Sequence, residues 1–143
     1  MTVLELAYQK VFLRGSQDVT LRGSGFALLG ASDFYDERRL ASSAFRSSFG
    51  DRYYTRRAAF GTVEYGHSLH REIVAVHVFA DAAVFGRIDA TRENETVAGA
   101  FSAGTALHIL LEDTFLLRLY WAYGRTTGGD SSDDTGVSIA KVF

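Results

Sequence analysis

The chain has 143 residues, with 15 Lys and Arg against 17 Asp and Glu, no Cys, no Pro and 47% hydrophobic residues. A net charge of −2 lacks the basic surplus with which domains neutralise phosphates, so nucleic acid is not expected as a partner, and the lack of Cys excludes disulfides and thiolate metal sites. The apolar stretches are far shorter than the roughly 18 to 20 residues of a membrane-spanning helix, so a membrane-spanning form would have to be a barrel.

Seven segments alternate between apolar and polar residues with a period of two, which predicts β-strands with one apolar and one polar face. The absence of Pro fits long, continuously hydrogen-bonded strands. We predict one all-β, antiparallel domain over residues 1–143 with about 7 to 8 strands. In chain order the seven segments are Thr2 to Leu13, Val19 to Ala31, Arg57 to Leu69, Ile73 to Phe85, Val97 to Leu111, Thr114 to Gly124 and Gly136 to Phe143.

The length and polarity of these segments favour an outer-membrane β-barrel. They are about 8 to 15 residues long, close to the 9 to 11 that a tilted strand needs to cross hydrocarbon. Their polar faces carry small and charged residues, and their apolar faces carry aromatic residues, a distribution typical of membrane barrels. Core aromatic residues in a soluble β domain are the alternative, because the pattern does not show which face is outside. We predict four aromatic residues at the membrane interface: Tyr8, Phe12, Trp121 and Tyr123.

The predicted connections alternate between short and long, as in outer-membrane barrels with short periplasmic turns and long external loops. The long ones are Ser32 to Arg56, Gly86 to Thr96 and Arg125 to Thr135, and the first is predicted as a long external loop (about 32–56). The short ones are Arg14 to Asp18, His70 to Glu72 and Glu112 to Asp113.

Seven is an odd number, whereas bacterial single-chain barrels have even numbers of strands. An open sheet in lipid would leave two unpaired edges, which hydrocarbon does not tolerate. Either an eighth strand is present, or the barrel is completed by another copy of the chain or by a missing N-terminal barrel half. A hairpin within the long external loop would add two strands and leave the number odd.

Six short motifs follow one another between Ala44 and Phe143. They are Phe45-Arg46-Ser47-Ser48, Glu64-Tyr65-Gly66, Phe79-Ala80-Asp81-Ala82-Ala83, Gly104-Thr105-Ala106-Leu107-His108, Leu117-Arg118-Leu119 and Ser138-Ile139-Ala140-Lys141-Val142-Phe143. Their order and spacing resemble the C-terminal barrel half of the BamA superfamily of outer-membrane assembly and secretion pores, which includes TamA and FhaC. Arg46 is followed by two Ser where the family has Gly and an aromatic residue, Gly66 replaces an Arg, and Ala83 replaces a Gly.

The resemblance implies that an Arg of the long external loop folds back into the barrel and pairs with acidic residues of the inner wall. In this sequence these would be Arg46, Glu64 and Asp81, which we call the latch. The predicted strands agree, because Glu64 and Asp81 lie on the polar faces of adjacent strands, where two carboxylates need a cation to stay ionised. The planar guanidinium of Arg can serve both. Three other arginines could compete for the carboxylates: Arg52, Arg56 and Arg57.

The resemblance also implies a function, which is insertion of other proteins into a bacterial-type outer membrane or their export through it. The partners would be outer-membrane lipid, client outer-membrane or secreted proteins, and the strands that complete the barrel. In the family the seam between first and last strands opens, and the last segment here is short, so we expect weaker pairing there. Its apolar residues Val137, Ile139 and Phe143 would form the terminal-strand assembly signal. The family's periplasmic POTRA module has no counterpart in residues 1–143.

Two further functions come from other classes. One is a small, self-contained eight-stranded barrel that acts as a structural or adhesive surface protein. The other is a lipid-modifying outer-membrane hydrolase, for which Ser68 and His77 are the conceivable pair, since His67 and Ser68 point to opposite faces of their strand. We expect no enzyme, no catalytic residue and no cofactor. We also expect no metal site, because His67, His70 and the acidic segment around Asp130 lack ligand spacing.

Overall fold

The structure, a computed structural model, describes residues 2–30, 38–39, 46, 54–70, 73–88, 95–111 and 114–141. The prediction of an all-β chain is confirmed, and within these ranges no helix is long and apolar enough to span a membrane. The strands are β1 (Thr2–Arg14), β2 (Gln17–Leu29), β3 (Arg38–Arg39), β4 (Tyr54–Thr55), β5 (Arg57–His70), β6 (Val74–Ile88), β7 (Glu95–Leu111), β8 (Phe115–Thr126) and β9 (Ser131–Lys141).

Seven of these strands form one antiparallel sheet, in the order β1-β2-β5-β6-β7-β8-β9. Each pairs with its neighbours along most of its length. The two-residue strands β3 and β4 pair separately, inside the segment predicted as the long external loop. In the described part of the chain β1 and β9 do not pair with each other, so the sheet has two edges.

The predicted long loop at Arg125 to Thr135 is wrong, because β8 and β9 are joined by a tight turn between Thr126 and Ser131. The backbone N–H of Thr126 donates to the carbonyl oxygen of Asp130 at 2.8 Å, and Gly129 has a φ of 92°, which favours glycine. The predicted last strand therefore begins too late. Ser131 to Thr135 is polar on both faces, so its sequence shows no alternation that would reveal a strand.

The predicted loop at Gly86 to Thr96 is also too long. Strand β6 continues to Ile88 and β7 begins at Glu95, and the two remain paired at these ends. Of the three predicted long connections, Ser32 to Arg56 is therefore the one that remains long. Within it the structure describes β3, Arg46 and the segment from β4 onward.

The two faces of the seven-stranded sheet have opposite character. Every second residue of β5 from Ala58 to Gly66 is buried, and the residues between are exposed. The buried side, which we call the polar face, carries Glu64 and Asp81 in its centre. The other side, which we call the apolar face, exposes large hydrophobic side chains, such as Leu6 at 78%, Val97 at 74% and Ile139 at 67%. These residues lie on the faces predicted from the sequence.

Two small apolar clusters lie on the polar face. One contains two aromatic rings, Phe60 and Phe85, and the other is formed around Phe79. The row of paired residues that contains Asp81 runs between them. The two clusters therefore flank the charged centre of the polar face. Alanines complete them: Ala58, Ala83 and Ala100 in the first, and Ala106 and Ala122 in the second.

Candidate functional site

The guanidinium of Arg46 lies between the carboxylates of Glu64 on β5 and Asp81 on β6. Its Nη1 donates a hydrogen bond to Oε2 of Glu64 at 2.8 Å. Its Nη2 donates to Oδ1 of Asp81 at 3.0 Å, its Nε donates to Oδ2 at 3.2 Å, and the backbone N–H of Arg46 also donates to Oδ2 at 3.2 Å. The structure thus brings the three residues of the latch into direct contact.

Asp81 is the most deeply buried member of the latch, at 2% exposed. It lies in one cross-strand row with Thr62 on β5 and Ser102 on β7. The hydroxyl of Ser102, which is itself fully buried, donates to Oδ2 of Asp81 at 3.1 Å. Because a buried carboxylate without partners is costly, these donors and the Arg46 charge are what allow Asp81 to lie here.

The ring of Phe79 supports Arg46 from the sheet. The Cζ atom of Arg46 lies 3.5 Å from the centroid of this ring, which is a cation–π arrangement. Gly104 on β7 leaves the space that the ring needs, since a Cβ there would lie 2.8 Å from Cζ of Phe79 and would also meet the carbonyl oxygen of Trp121. A glycine in the middle of this strand therefore serves the latch through its lack of a side chain.

Two histidines extend the site along the polar face. Oε1 of Glu64 lies 3.0 Å from Nδ1 of His77 on β6, and the ring of His77 lies 3.9 Å from that of His108 on β7, at an interplanar angle of 32°. One ligand atom from each of the three residues can be chosen so that all lie within 4.8 Å of one another. These residues do not form a motif in the sequence, because they lie on three strands and only the register brings them together.

Gly66 lies at the point where two side chains converge. A Cβ at this position would lie 2.6 Å from Cε1 and 2.8 Å from Nδ1 of His77, and it would also meet Oδ1 of Asp18. The register explains this, because Gly66 pairs with Asp18 on β2 and with His77 on β6. An Arg at this position, where the BamA superfamily has one, would have to displace the Asp18 carboxylate and the His77 ring.

The competing arginines are placed differently from Arg46. Arg57 donates through Nε to Oε1 of Glu95 at 2.8 Å, and its side chain is 61% exposed. The carbonyl oxygen of Arg56 accepts a backbone hydrogen bond from Leu28 at 2.8 Å. Arg52 lies outside the described residues. Arg46 is thus the arginine whose hydrogen bonds to both carboxylates are described.

The predicted interface aromatic residues are exposed on the apolar face: Tyr8, Phe12, Trp121 and Tyr123. Phe12 and Trp121 belong to one cross-strand row, which also contains Tyr65. Tyr8 and Tyr123 lie in other rows.

The last strand differs in length from its prediction. β9 pairs with β8 over all eleven of its residues, from Ser131 to Lys141, so the expectation of a short strand is wrong, whereas the weaker pairing expected at this edge stays a prediction. Its apolar residues Val137 and Ile139 are exposed, and Phe143 lies outside the described residues.

The conceivable hydrolase residues lie on one face without being paired in register. Ser68 pairs with Ala75, whereas His77 pairs with Gly66. Nδ1 of His77 lies 3.0 Å from Oε1 of Glu64, which places an acidic group beside the imidazole.

The chain matches no family model, no curated protein and no solved structure. Membership of the BamA superfamily therefore stays a prediction, based on the order of the motifs.

Proposed function

We propose that this chain is a segment of a membrane β-barrel, with the apolar face toward lipid and the polar face toward the lumen. The observation that carries the proposal is the inverted polarity of the sheet. Asp81 and Ser102 are buried on one side, whereas side chains such as Leu6 and Val97 are exposed on the other. Soluble monomers rarely expose an apolar surface of this extent, and lipid is the solvent that suits it.

The length of the strands supports the same proposal. The shortest strand of the main sheet, β9, has 11 residues, and the longest, β7, has 17. A tilted strand needs about 9 to 11 residues to cross the hydrocarbon region. Every strand of the sheet is therefore long enough to span a bilayer.

Within such a barrel, we propose the role that the resemblance to the BamA superfamily implies, which is insertion or export of client proteins at a bacterial-type outer membrane. The support is the latch. Arg46 comes from the segment between β2 and β5, and its side chain is bound to the inner wall by both Glu64 and Asp81. In such a barrel the bound side chain of Arg46 would lie within the lumen, and a loop residue in that position can control passage.

The membrane proposal is tested by refolding the chain into detergent micelles and comparing unboiled with boiled samples on a cold gel. We expect the unboiled sample to migrate differently, because membrane barrels resist unfolding by detergent until they are heated. A folded form containing more than one chain is expected, since the sheet has two edges to be paired.

Two outcomes would change the proposal. A compact, heat-modifiable monomer would favour the small self-contained barrel with a structural or adhesive role. If the chain shows no shift and instead folds in plain buffer, the membrane proposal is wrong.

A further inference from the structure

The geometry points to a binding site for a divalent transition-metal ion of the zinc class, formed by Glu64 on β5, His77 on β6 and His108 on β7. The site offers two imidazole nitrogens and one carboxylate oxygen, and these atoms lie within 4.8 Å of one another. Such a donor set suits Zn²⁺ and its neighbours in the first transition row and leaves a coordination position open. This inference does not depend on the function proposed for the barrel.

The distances are close to those of a metal centre. With bonds of about 2.0 to 2.2 Å, the ligand atoms of a tetrahedral zinc site lie about 3.4 Å apart. Oε1 of Glu64 and Nδ1 of His77 are already 3.0 Å apart, and the centroids of the two imidazole rings are 3.9 Å apart. All three ligand atoms lie within 4.8 Å of one another, so side-chain rotations that bring them closer by up to about 1.4 Å would complete the site.

The orientation of His77 supports a missing partner. Its Nδ1 is buried, lies 3.0 Å from Oε1 of Glu64 and does not meet the angular requirement of a hydrogen bond to that oxygen. Buried polar atoms in proteins are nearly always satisfied, and a bound ion is one of the ways in which an exception is explained. An ion beside the line between the two atoms could bond to both of them.

The surrounding charges are compatible with a cation. The hydrogen bond from Arg46 to Glu64 uses Oε2. The positive charge of Arg46 is balanced by the Asp81 carboxylate, which accepts two hydrogen bonds from its side chain. In this arrangement Arg46 orients the Glu64 carboxylate and leaves Oε1 for the ion, which is the role that outer-shell partners have in metal sites. Asp18 adds a carboxylate near the His77 ring, at Gly66. Arg118 pairs in register with His108 but is exposed, so solvent screens its charge.

The test is the binding of Zn²⁺ to the full chain refolded in micelles, measured by equilibrium dialysis, with Co²⁺ absorption as a probe of the ligands. We expect one ion per chain and a Co²⁺ spectrum typical of nitrogen and oxygen ligands. His77→Gln and His108→Gln are each expected to weaken binding at least about tenfold. His70→Gln is the matched control, since His70 lies at the exposed end of β5, and it should bind as the unmodified chain does.

Three outcomes would overturn the site. The first is an unmodified chain that binds no ion. The second is binding by His77→Gln and His108→Gln that equals binding by the unmodified chain. The third is a loss of binding in His70→Gln as large as in these two variants. Each variant is first compared with the unmodified chain on the cold gel. If His77→Gln fails to fold, Zn²⁺ binding by His108→Gln decides the test, because His108 is only half-buried. The cold-gel shift of the unmodified chain is read separately, so failure of the metal site is distinguishable from failure of the membrane proposal.

Discussion

Arg46 is bound to the sheet through several interactions that act on one side chain. Its guanidinium binds Asp81 through two nitrogens and Glu64 through the third, and it stacks on Phe79. The planar fork of Arg matches this set of acceptors, and Lys, as a single charged point, could not reproduce it. The carboxylates of Glu64 and Asp81 are both buried, so each is stabilised by the positive charge of Arg46.

Replacing Arg46 with Ala should therefore destabilise the chain and release the segment between β2 and β5. We expect the free energy of unfolding to fall by about 3 kcal/mol, because a buried pair loses one partner. The segment should also be cut faster by protease. The measurements are urea unfolding and limited proteolysis in micelles.

Arg57→Ala is the matched control, since this Arg forms one ion pair with Glu95 in an exposed position. Its loss should cost at most about 1 kcal/mol. Asp81→Ala should resemble Arg46→Ala in the proteolysis experiment. Unchanged protease sensitivity in both Arg46→Ala and Asp81→Ala would show that the latch does not hold the segment.

The strands show what can and cannot be predicted from this sequence. The faces of the strands follow from the alternation of apolar and polar residues, so the placement of Glu64 and Asp81 on one face could be predicted. The first half of β9 could not, because Ser131 to Thr135 is polar on both faces and its strand conformation depends on pairing with β8.

The candidate metal site could not be predicted for a different reason. His77 and His108 lie 31 positions apart, and Glu64 is on a third strand. Whether such residues meet depends on the register of the strands. The sequence does not define this register, because it does not show how long the turn between β6 and β7 is. The placement of Arg46 was suggested by the order of the motifs, and its contacts with Phe79 and the space at Gly104 became visible only in three dimensions.

The apolar face of the strands can be tested with a charge. Val63 lies in the middle of β5, is 53% exposed, and would face the centre of the bilayer. Val63→Arg should lower the free energy of unfolding in lipid by about 2 to 4 kcal/mol. In a water-soluble protein the same exposed position would tolerate Arg with little effect.

Val97→Arg is the matched control for this change. Val97 belongs to the same face but lies near the beginning of β7, where we expect a cost of about 0 to 1 kcal/mol. Urea titration of both variants in vesicles gives the comparison. Equal, small effects would contradict burial of the apolar face in lipid.

On the scale of the whole molecule, the function proposed above predicts that a client or a completing strand binds at the two edge strands. Leu6 on β1 and Ile139 on β9 are exposed, and the chain has no Cys, so a single introduced Cys can carry a photo-crosslinker. If clients are inserted at the edges, crosslinks to an outer-membrane client should form from Leu6→Cys and Ile139→Cys. They should not form from Val63→Cys, which lies inside the sheet. Crosslinks of similar yield from all three positions, or from none, would argue against client binding at the edges.

The number of strands also determines how the sheet can close. Six successive antiparallel pairings separate β1 from β9, so the two edge strands run in the same direction. Two copies that cross a membrane in the same direction could therefore join only through parallel seams. In micelles, which impose no direction, one copy could turn over and pair β1 with β1. In a membrane, a fully antiparallel cylinder requires an odd number of added strands, and a second set of seven in the same orientation cannot complete that alternation. The segment that closes this sheet in a membrane is therefore expected to differ from this chain and to have an odd number of strands.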